Sequence, residues 1–262
     1  MIKYKDWQAP SFKIHQFRKK SSKYCICIPV LNEGEKIIKQ LHRMLPFSKM
    51  ADIIIADWGS TDGSMDLKFL NSMNIRTLLT LKSRGKQGTQ LRMAFDYALK
   101  QGYEGIIQID GNNKDGVEAI PNFIKALKGG FDYTQGSRFI KGGNAVNTPP
   151  MRFFAVRVLA SPILSSGAGY WYTDVTNGFR GYSRKYLLHP SVQPFRDIFV
   201  SYELNMYLTV RANQLGLKTK ELPVTRSYSK GKAHTKISFF RGNSNFLLSQ
   251  IKAALGFYNP KD

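Results

Sequence analysis

Acidic residues are scarce in this sequence. Its 262 residues include 18 Asp plus Glu against 39 Lys plus Arg, which gives a formal net charge of +21 at pH 7. Such an excess favours polyanionic partners, which are nucleic acids, anionic bilayers or phosphorylated substrates. No nucleic-acid recognition motif accompanies the charge, so a nucleic-acid binder is the least favoured of these interpretations.

Cysteine, long apolar runs and metal-spaced histidines are also missing. Cys25 and Cys27 are the two cysteines, and at this spacing on a strand they lie too far apart for easy bridging, so we expect reduced core residues in a cytosolic protein. No run of about 18 apolar residues predicts a spanning helix, and the start of the chain lacks the apolar region of a secretory signal. The four histidines are scattered: His15, His42, His189 and His234, the last in a basic loop where it could contact phosphate.

What the sequence does contain is an alternation of strand and helix patterns in its first half. Short runs rich in β-branched residues predict strands at 24–30, 51–59, 75–81, 105–110 and 132–139. Apolar residues at helical spacing predict helices at 33–45, 88–102 and 119–130. This order predicts an α/β fold with a mainly parallel central sheet and helices on both faces.

The second half has a different pattern. A loop rich in Gly, Asn and Pro precedes an apolar helix at 151–164, which we expect Pro162 to break. The remaining predictions are a turn, strand and short helix at 173–188, a long helix at 199–216, a strand at 217–225 and a terminal amphipathic helix within 237–255. We expect the apolar face of this last helix to dock on the protein core, with insertion into a membrane as the alternative.

Polar clusters follow three of the predicted strands. Asn32, Asp57 and Asp110 each lie where an apolar run ends. Each cluster alone could be an ordinary turn, because Asp, Asn and Gly dominate turns. Ligands of parallel sheets, however, bind beyond the carboxyl ends of the strands, so three such clusters predict one shared nucleotide pocket.

Six segments in the same order carry a resemblance to a known family. They are "IPVLNEGEKI", "IIIADWGSTDGS", "IIQIDGNNKDGVEAIPNFI", "TQGSRFIKGG", "TDVTNGFRGYSRKYL" and "ELPVTRSYSKGKAHTKIS". Together they resemble the family 2 glycosyltransferases of GT-A fold, and among these the dolichyl-phosphate mannose synthases and bacterial polyprenyl-phosphate sugar transferases. The resemblance extends from about residue 26 to about residue 236. It implies a GT-A domain at 23–236, preceded by a basic extension at 1–22 and followed by a helix and tail at 237–262.

The resemblance also implies roles for individual residues. The nucleotide would be bordered by Pro29, Asn32, Glu33 and Asp57. Asp110 would hold Mg²⁺ or Mn²⁺ against the diphosphate of the donor, since hard cations take oxygen ligands and offset charge on a leaving diphosphate. Arg138 and Arg180 would bind phosphate oxygens, and Lys236 would close over the site from the terminal loop.

Two positions depart from the family pattern. The metal motif of the family is Asp-x-Asp, whereas this chain has Asp110-Gly111-Asn112. Asn112 can ligate through its amide oxygen with one negative charge fewer, and Asp115 is a candidate for the missing carboxylate. Trp58 replaces the second acid of the family's Asp-Asp-Gly-Ser segment, where it either lines the pocket or packs under it.

The identity of a catalytic base separates two kinds of acceptor. Transfer to a hydroxyl needs a carboxylate that accepts the proton, and Glu203 and Asp174 are the candidates. Transfer to a phosphate monoester needs none, because its second pKa of about 6 leaves it largely anionic at neutral pH. No Glu-Asp pair of the hydroxyl-acceptor type occurs, so a phosphate acceptor is favoured.

The sequence therefore predicts an inverting, metal-dependent glycosyltransferase that uses a nucleotide-diphosphate sugar and a membrane-held acceptor, foremost a polyprenyl phosphate. One alternative is transfer to a hydroxyl of a phosphorylated lipid glycan or surface polysaccharide with Glu203 as base. Another is a non-catalytic anion-binding module with a decayed metal site. We expect peripheral association with the anionic, cytoplasmic face of a membrane and no nucleic-acid partner; the sequence leaves the oligomeric state open.

Overall fold

The structure is a computed structural model that describes residues 7–82, 85–229 and 241–261. For residues 241–244 it describes the backbone alone. The strands are β1 Phe12–Gln16, β2 Tyr24–Val30, β3 Asp52–Asp57, β4 Ile75–Leu81, β5 Gly105–Gln108, β6 Tyr133–Ser137, β7 Asn144–Val146, β8 Arg180–Ser183, β9 Thr219–Pro223 and β10 Thr225–Ser227.

Eight of these strands form one central sheet. Their order is β1-β4-β3-β2-β5-β8-β6-β9, and β7 pairs with β10 in a separate two-stranded sheet. The strands β4, β3, β2 and β5 are parallel to their neighbours, as is the pair β6 and β9. β8 runs antiparallel between β5 and β6, and β1 runs antiparallel to β4. The prediction of a mainly parallel sheet is therefore confirmed, and residues 12–16 of the basic N-terminal segment lie in its edge strand.

Helices cover both faces of this sheet. They are α1 Glu35–Met44, α2 Leu67–Ser72, α3 Gln87–Lys100, α4 Ile120–Lys128, α5 Pro150–Phe154, α6 Ser161–Ala168, α7 Arg184–Leu187, α8 Glu203–Gln214 and α9 Arg241–Ala254. α1, α2 and α4 contribute to one core, and α3, α6, α7, α8 and α9 to the other. Strand β2 serves both, because side chains alternate along a strand: Cys25 and Cys27 face the second core, whereas Ile26 and Ile28 face the first. Both cysteines are buried and unbridged, as expected.

Pro162 does not end the helix in which it lies, so that prediction is wrong. The chain stays helical from Pro150 to Ala168, with a π-helical stretch at Ala155–Ala160 between α5 and α6. Pro162 falls in the first turn of α6. In a regular α-helix the proline ring would clash with the carbonyl oxygen four residues earlier. The π-helical turn before Pro162 is wider and shifts the hydrogen-bond register, so it makes room for the ring.

The long helix predicted from residue 199 begins later, at Glu203. The preceding residues lie against the start of α3, where Thr89 N donates to the carbonyl oxygen of Val200 (3.1 Å). A side chain at Gly88 would put its Cβ 2.7 Å from the carbonyl oxygen of Phe199. This close approach fixes the beginning of α8 beside the amino end of α3.

Candidate active site

The polar ends of β2, β3 and β5 lie at one edge of the sheet. Val30 is paired with Asp57 at the ends of the neighbouring strands β2 and β3. Gln90 of α3 ties both strands together, because its Nε2 donates to the carbonyl oxygens of Val30 (2.7 Å) and Ala56 (2.9 Å). β5 lies on the other side of β2, so Asp110 comes to the same edge.

The loops after β2 and β3 are joined by hydrogen bonds. The Asn32 backbone lies in the left-handed region with φ 48°. Its Oδ1 accepts from Thr61 N (2.8 Å) and its N donates to Ser60 Oγ (2.9 Å). The buried Asp57 carboxylate accepts from Gly59 N (2.9 Å) and from Ser60 Oγ (2.6 Å). Asn32 and Asp57 therefore hold two loops as one polar surface.

The other residues expected at the nucleotide lie at or near the ends of β2 and β3. Pro29 lies within β2, paired with Ala56 of β3. Glu33 is 3.7 Å from Lys36 Nζ through its Oε2. Trp58 packs against the core on the α3 side of the sheet, which favours the packing role over a pocket wall.

Asp110 reaches solvent at the centre of this edge. Its side chain is 18 % exposed, and Gln87 Nε2 at the start of α3 donates to its Oδ1 (3.2 Å). Gly178 lies directly against the carboxylate: a Cβ there would be 2.6 Å from Asp110 Cγ and 2.7 Å from Oδ2. Only a glycine leaves the carboxylate in this position, and no local sequence pattern indicated this contact.

The loop after Asp110 is fixed to β2 and α1. A Cβ on Gly111 would meet Val30 Cγ2 at 3.0 Å, so the glycine permits the close approach. Gln40 Nε2 donates to the carbonyl oxygen of Asp110 (2.9 Å), and its Oε1 accepts from Asn113 N (2.7 Å). Asn112 Oδ1 accepts a hydrogen bond from the Lys114 backbone N (3.2 Å), which forms a turn. Asn112 is half-buried in this turn.

Asp115 is held by Arg226 of β10. The carboxylate is fully buried, and Arg226 Nη1 contacts both of its oxygens, at 2.7 and 2.6 Å. Burial alone would lower the pKa of Arg226, but the charges of Asp115 and Asp110 raise it well above its usual value. Asp115 is therefore paired inside the protein, which argues against it as the missing metal ligand.

Arg138 and Asp174 form a second buried ion pair. Arg138 Nε donates to Asp174 Oδ2 (2.6 Å) and Nη2 donates to Oδ1 (2.8 Å), a forked contact that occupies both carboxylate oxygens. Arg138 Nη1 still reaches the Tyr228 hydroxyl at 3.3 Å. The proposed phosphate role of Arg138 would use this remaining edge of the guanidinium.

Arg180 is buried among backbone carbonyl oxygens. Its nitrogens donate to the carbonyl oxygens of Val175 (2.7 Å), Asn177 (3.0 Å) and Asn205 (2.7 Å). These bonds hold the loop that carries Gly178 against Asp110. The geometry favours Arg180 as a residue that positions this loop.

Four cationic side chains surround Tyr228, and we refer to them as the Tyr228 cluster: Lys114, Arg138, Arg152 and Arg226. Arg152 Nη1 lies 3.3 Å from the Tyr228 hydroxyl, and Lys114 Nζ lies 5.1 Å from the ring centroid. Burial alone would raise the pKa of Tyr228, but the surrounding guanidiniums lower it. The pKa of Lys114 is lowered by burial and by the charge of Arg226.

Two members of this cluster have no counter-charge among the residues that the structure describes. In the described part of the chain, no carboxylate lies within ion-pair distance of Lys114 or Arg152. Both side chains are half-buried. The cluster reaches Asp110 through Arg226, whose Nη2 lies 3.3 Å from Asp110 Oδ2. Sequence reasoning missed Arg152, Arg226 and Tyr228; one available signal was the lack of any Asp or Glu from 133 to 173.

Glu203 is the first residue of α8, which begins beside the amino end of α3. Its Oε2 accepts a hydrogen bond from the backbone N of Ser201 (2.6 Å), which places a carboxylate at the helix start. Its role as a base stays a prediction, as does that of Asp174. Lys236 and His234 lie outside the described residues.

The residues at Asp110 suit a hard divalent cation bound together with a substrate. In the described ranges no three His, Cys, Asp or Glu side chains are grouped as metal ligands. Mg²⁺, however, commonly uses one or two carboxylates, several waters and substrate phosphates. Asp110 offers the carboxylate and Asn112 an amide oxygen. Gln87 also donates to Asp110 through its Nε2, and its buried Oε1 has no hydrogen-bond partner among the described residues.

Comparison with known proteins identifies relatives of the chain in sequence and in fold. No protein-family model matches the chain. The polyprenol monophosphomannose synthase of Mycolicibacterium smegmatis is 26 % identical over 206 residues, which cover 76 % of each chain. The undecaprenyl-phosphate mannosyltransferase of Micrococcus luteus is 25 % identical over 201 residues, 76 % of this chain and 81 % of the relative.

Solved structures show the fold. Glucosyl-3-phosphoglycerate synthase from Mycobacterium tuberculosis, in complex with Mn²⁺, UDP and glucosyl-3-phosphoglycerate, superposes with a TM-score of 0.61 at 16 % identity, covering 91 % of this chain and 81 % of the other. The predicted α/β architecture and the predicted resemblance are confirmed. The chain has the GT-A glycosyltransferase fold, and polyprenyl-phosphate mannosyltransferases are among its sequence relatives.

Proposed function

We propose that this protein is a glycosyltransferase that moves a sugar from a nucleotide-diphosphate donor to a polyprenyl phosphate, with inversion at the anomeric carbon. The observation that carries the proposal is that Lys114 and Arg152 have no carboxylate partner among the described residues, in a cluster whose Arg226 contacts the partly exposed carboxylate of Asp110. Cations without a carboxylate partner attract a phosphate, and the partly exposed carboxylate suits the metal of a nucleotide-sugar donor. The names of the two mannosyltransferase relatives support the same substrate classes.

The donor would lie along the edge formed by the β2, β3 and β5 loops. Asp110, with the amide oxygens of Asn112 and Gln87, would hold Mg²⁺ or Mn²⁺ against the diphosphate. A bound divalent cation offsets the charge that develops on the departing diphosphate. Asn32 and Asp57 keep the neighbouring loops in place for the nucleoside.

The acceptor phosphate would bind at the Tyr228 cluster. Arg152 and Lys114 would donate to its oxygens, and Arg138 Nη1, which contacts the Tyr228 hydroxyl in this structure, would add a third donor. A phosphate monoester is already largely anionic at neutral pH, so its oxygen attacks the anomeric carbon without a general base. The engagement of Asp174 with Arg138 and of Glu203 with Ser201 is consistent with that route.

A transfer assay tests the proposed function. Purified protein is incubated with UDP-, GDP-, CDP- or dTDP-sugars, with Mn²⁺ or EDTA, and with a polyprenyl phosphate or the matching polyprenol. We expect a sugar–phosphate lipid with one donor class, only with the phosphorylated lipid and only with metal, and NMR of the product should show an inverted anomeric centre. Equal transfer to the polyprenol would instead favour a hydroxyl acceptor, and no product with any pair would contradict the proposal.

We further propose that an exposed apolar face places the enzyme on its membrane. The face lies on the helical segments 150–168 and 241–254 and on the residues just after each. The two segments are in contact, since a Cβ on Gly167 would be 2.6 Å from the carbonyl oxygen of Ala254. Its exposed side chains are Met151, Phe154, Val158, Leu159, Trp171, Leu247, Leu248, Ile251, Leu255 and Phe257. Large exposed apolar patches on otherwise polar proteins mark interaction sites.

The charge around this face favours an anionic bilayer. No Asp or Glu occurs from 133 to 173 or from 222 to 261, whereas both stretches contain Lys or Arg. Apolar and aromatic side chains bordered by cations are typical of helices that lie in a membrane interface. In the described residues, no helix is both long and apolar enough to cross a membrane.

Vesicle binding should depend on this face. The double substitution Phe154→Gln and Leu248→Gln is expected to weaken binding to vesicles containing phosphatidylglycerol by about tenfold or more, because each apolar side chain transferred into a bilayer contributes roughly 1 kcal/mol. Vesicle sedimentation measures the partition constant. The matched control replaces Ile14 and Leu67, which are also exposed but lie on β1 and α2. Equal losses in both double variants would contradict the assignment of the face.

A further inference from the structure

Arg226 joins two carboxylates through different edges of one guanidinium. Nη1 contacts both oxygens of Asp115 at 2.7 and 2.6 Å, whereas Nη2 lies 3.3 Å from Asp110 Oδ2. The contact with Asp115 is shorter and fully buried, and the contact with Asp110 is longer and reaches the exposed side of the site. The guanidinium is therefore anchored by Asp115 and only loosely held by Asp110.

The backbone reinforces the anchored end. Ser227 N donates to the carbonyl oxygen of Lys114, and Gly116 N donates to that of Thr225, both at 2.8 Å. These bonds fix the segment around Asp115 to β10 on both sides of the ion pair. Backbone pairing therefore keeps Arg226 beside Asp115, whereas the longer bond to Asp110 can break with a small change of side-chain angle.

The loosely held end lies where a metal ion would bind. A divalent cation on Asp110 would meet the positive charge of Arg226 at hydrogen-bond distance from the same carboxylate. The metal ion and the guanidinium would repel each other and compete for the Asp110 carboxylate. A polyanion that binds together with the metal relieves this competition, because it accepts the hydrogen bonds of the displaced guanidinium. A diphosphate has such oxygens, and a planar guanidinium suits them.

We propose that Arg226 is a resident counter-cation of Asp110 that a divalent metal ion must displace, and that the displaced guanidinium, still anchored by Asp115, then donates to the diphosphate of the donor. This inference rests on the proposed function for the nature of the donor. It makes metal and nucleotide binding mutually dependent: metal alone binds weakly, and nucleotide relieves the competition.

Two binding measurements with opposite expected signs test the inference. The double substitution Asp115→Asn and Arg226→Gln removes both charges of the pair while amides can still bond to each other. Mn²⁺ affinity, measured by electron paramagnetic resonance without nucleotide, should rise on the order of tenfold. Affinity for UDP at saturating Mn²⁺, or for GDP if the transfer assay selects a guanosine donor, should fall by a similar factor in calorimetry.

Control variants separate this role from a structural one. The double substitution Asp52→Asn and Arg76→Gln alters another buried pair, 4.0 Å apart, at the amino end of β3 and away from the site; it should change neither affinity. Arg226→Lys keeps the charge beside Asp115 but lacks the second donating edge, so it should also bind Mn²⁺ more tightly even if the double variant folds poorly.

The outcomes are distinguishable. Tighter Mn²⁺ with weaker nucleotide binding supports the inference, since a loss of structure would weaken both. Unchanged affinities, or a loss of both in the double variant and in Arg226→Lys, overturn it. Sugar transfer by the wild-type protein tests the proposed function independently, so an active enzyme with an unchanged Mn²⁺ affinity in the variants overturns the inference alone.

Discussion

Replacing Asp110 with asparagine should lower kcat/KM for sugar transfer by roughly a hundredfold to a thousandfold. The substitution keeps the shape of the side chain and removes the only carboxylate in the proposed metal ligand set. The charge on the leaving diphosphate would then lose its best-placed stabilisation, and losing one preorganised electrostatic contact commonly costs 10²–10³-fold in rate. Steady-state kinetics with saturating acceptor measures the effect, together with the Mn²⁺ affinity, which should fall in parallel.

Two companion variants make this prediction specific. Asp66→Asn changes a carboxylate that accepts from Phe69 N at the start of α2, away from the Asp110 carboxylate, and should leave kcat/KM within about threefold of wild type. Gly178→Ala keeps Asp110 but pushes its carboxylate aside, since the new Cβ would lie within 2.7 Å of Oδ2; it should lose activity while remaining folded by circular dichroism. Full activity in both Asp110→Asn and Gly178→Ala would show that the chemistry takes place elsewhere.

Replacing Arg152 with glutamine should raise the KM for the lipid phosphate and lower kcat/KM by roughly a hundredfold. Arg152 is half-buried and has no carboxylate partner in the described chain, so its charge is available to an acceptor phosphate. A charge-assisted hydrogen bond in such a site contributes about 1.5–3 kcal/mol, which corresponds to between tenfold and about 150-fold. The KM for the nucleotide sugar should stay nearly constant, because Asp110 and its neighbours are unchanged.

Arg157 provides the matched control for Arg152. It lies five residues further along the same helical segment, where its guanidinium packs over the Phe139 ring at 5.4 Å from the centroid. Arg157→Gln removes the same charge from the same part of the protein, so effects of net charge appear in both variants. An equal rise of the acceptor KM in both, measured in detergent, would argue against a phosphate site at the Tyr228 cluster.

The sequence determined the architecture because burial patterns are local. Strand β2 is buried on both faces, which an unbroken apolar run such as "YCICIPV" requires, and its residues alternate between two cores. Periodicity also located α1, α3 and α4. It could not foresee that α8 begins only at Glu203, since that limit depends on a close contact between Gly88 and the chain before α8.

The candidate site was partly predictable for the same reason. Asp110 follows a buried strand, and the carboxyl ends of neighbouring parallel strands meet at one edge, so its position followed from the sequence. The residues that surround Asp110 could not be predicted in this way. Arg226 is 116 residues away along the chain, and Gly178 is 68 residues away. No local pattern reports such contacts, because they arise only when β10 and the loop before β8 fold back over the end of β5.

The sequence by itself determined the α/β alternation, the excess of positive charge and the acid that ends β5, since each follows from composition or from a period of two or 3.6 residues. Tertiary structure alone decided which charges are paired. It placed Asp115 with Arg226 and Asp174 with Arg138, and left Lys114 and Arg152 without a carboxylate in the described chain. The physical reason is that pairing depends on distances of 3–4 Å between residues far apart in sequence, and those distances exist only in the folded chain.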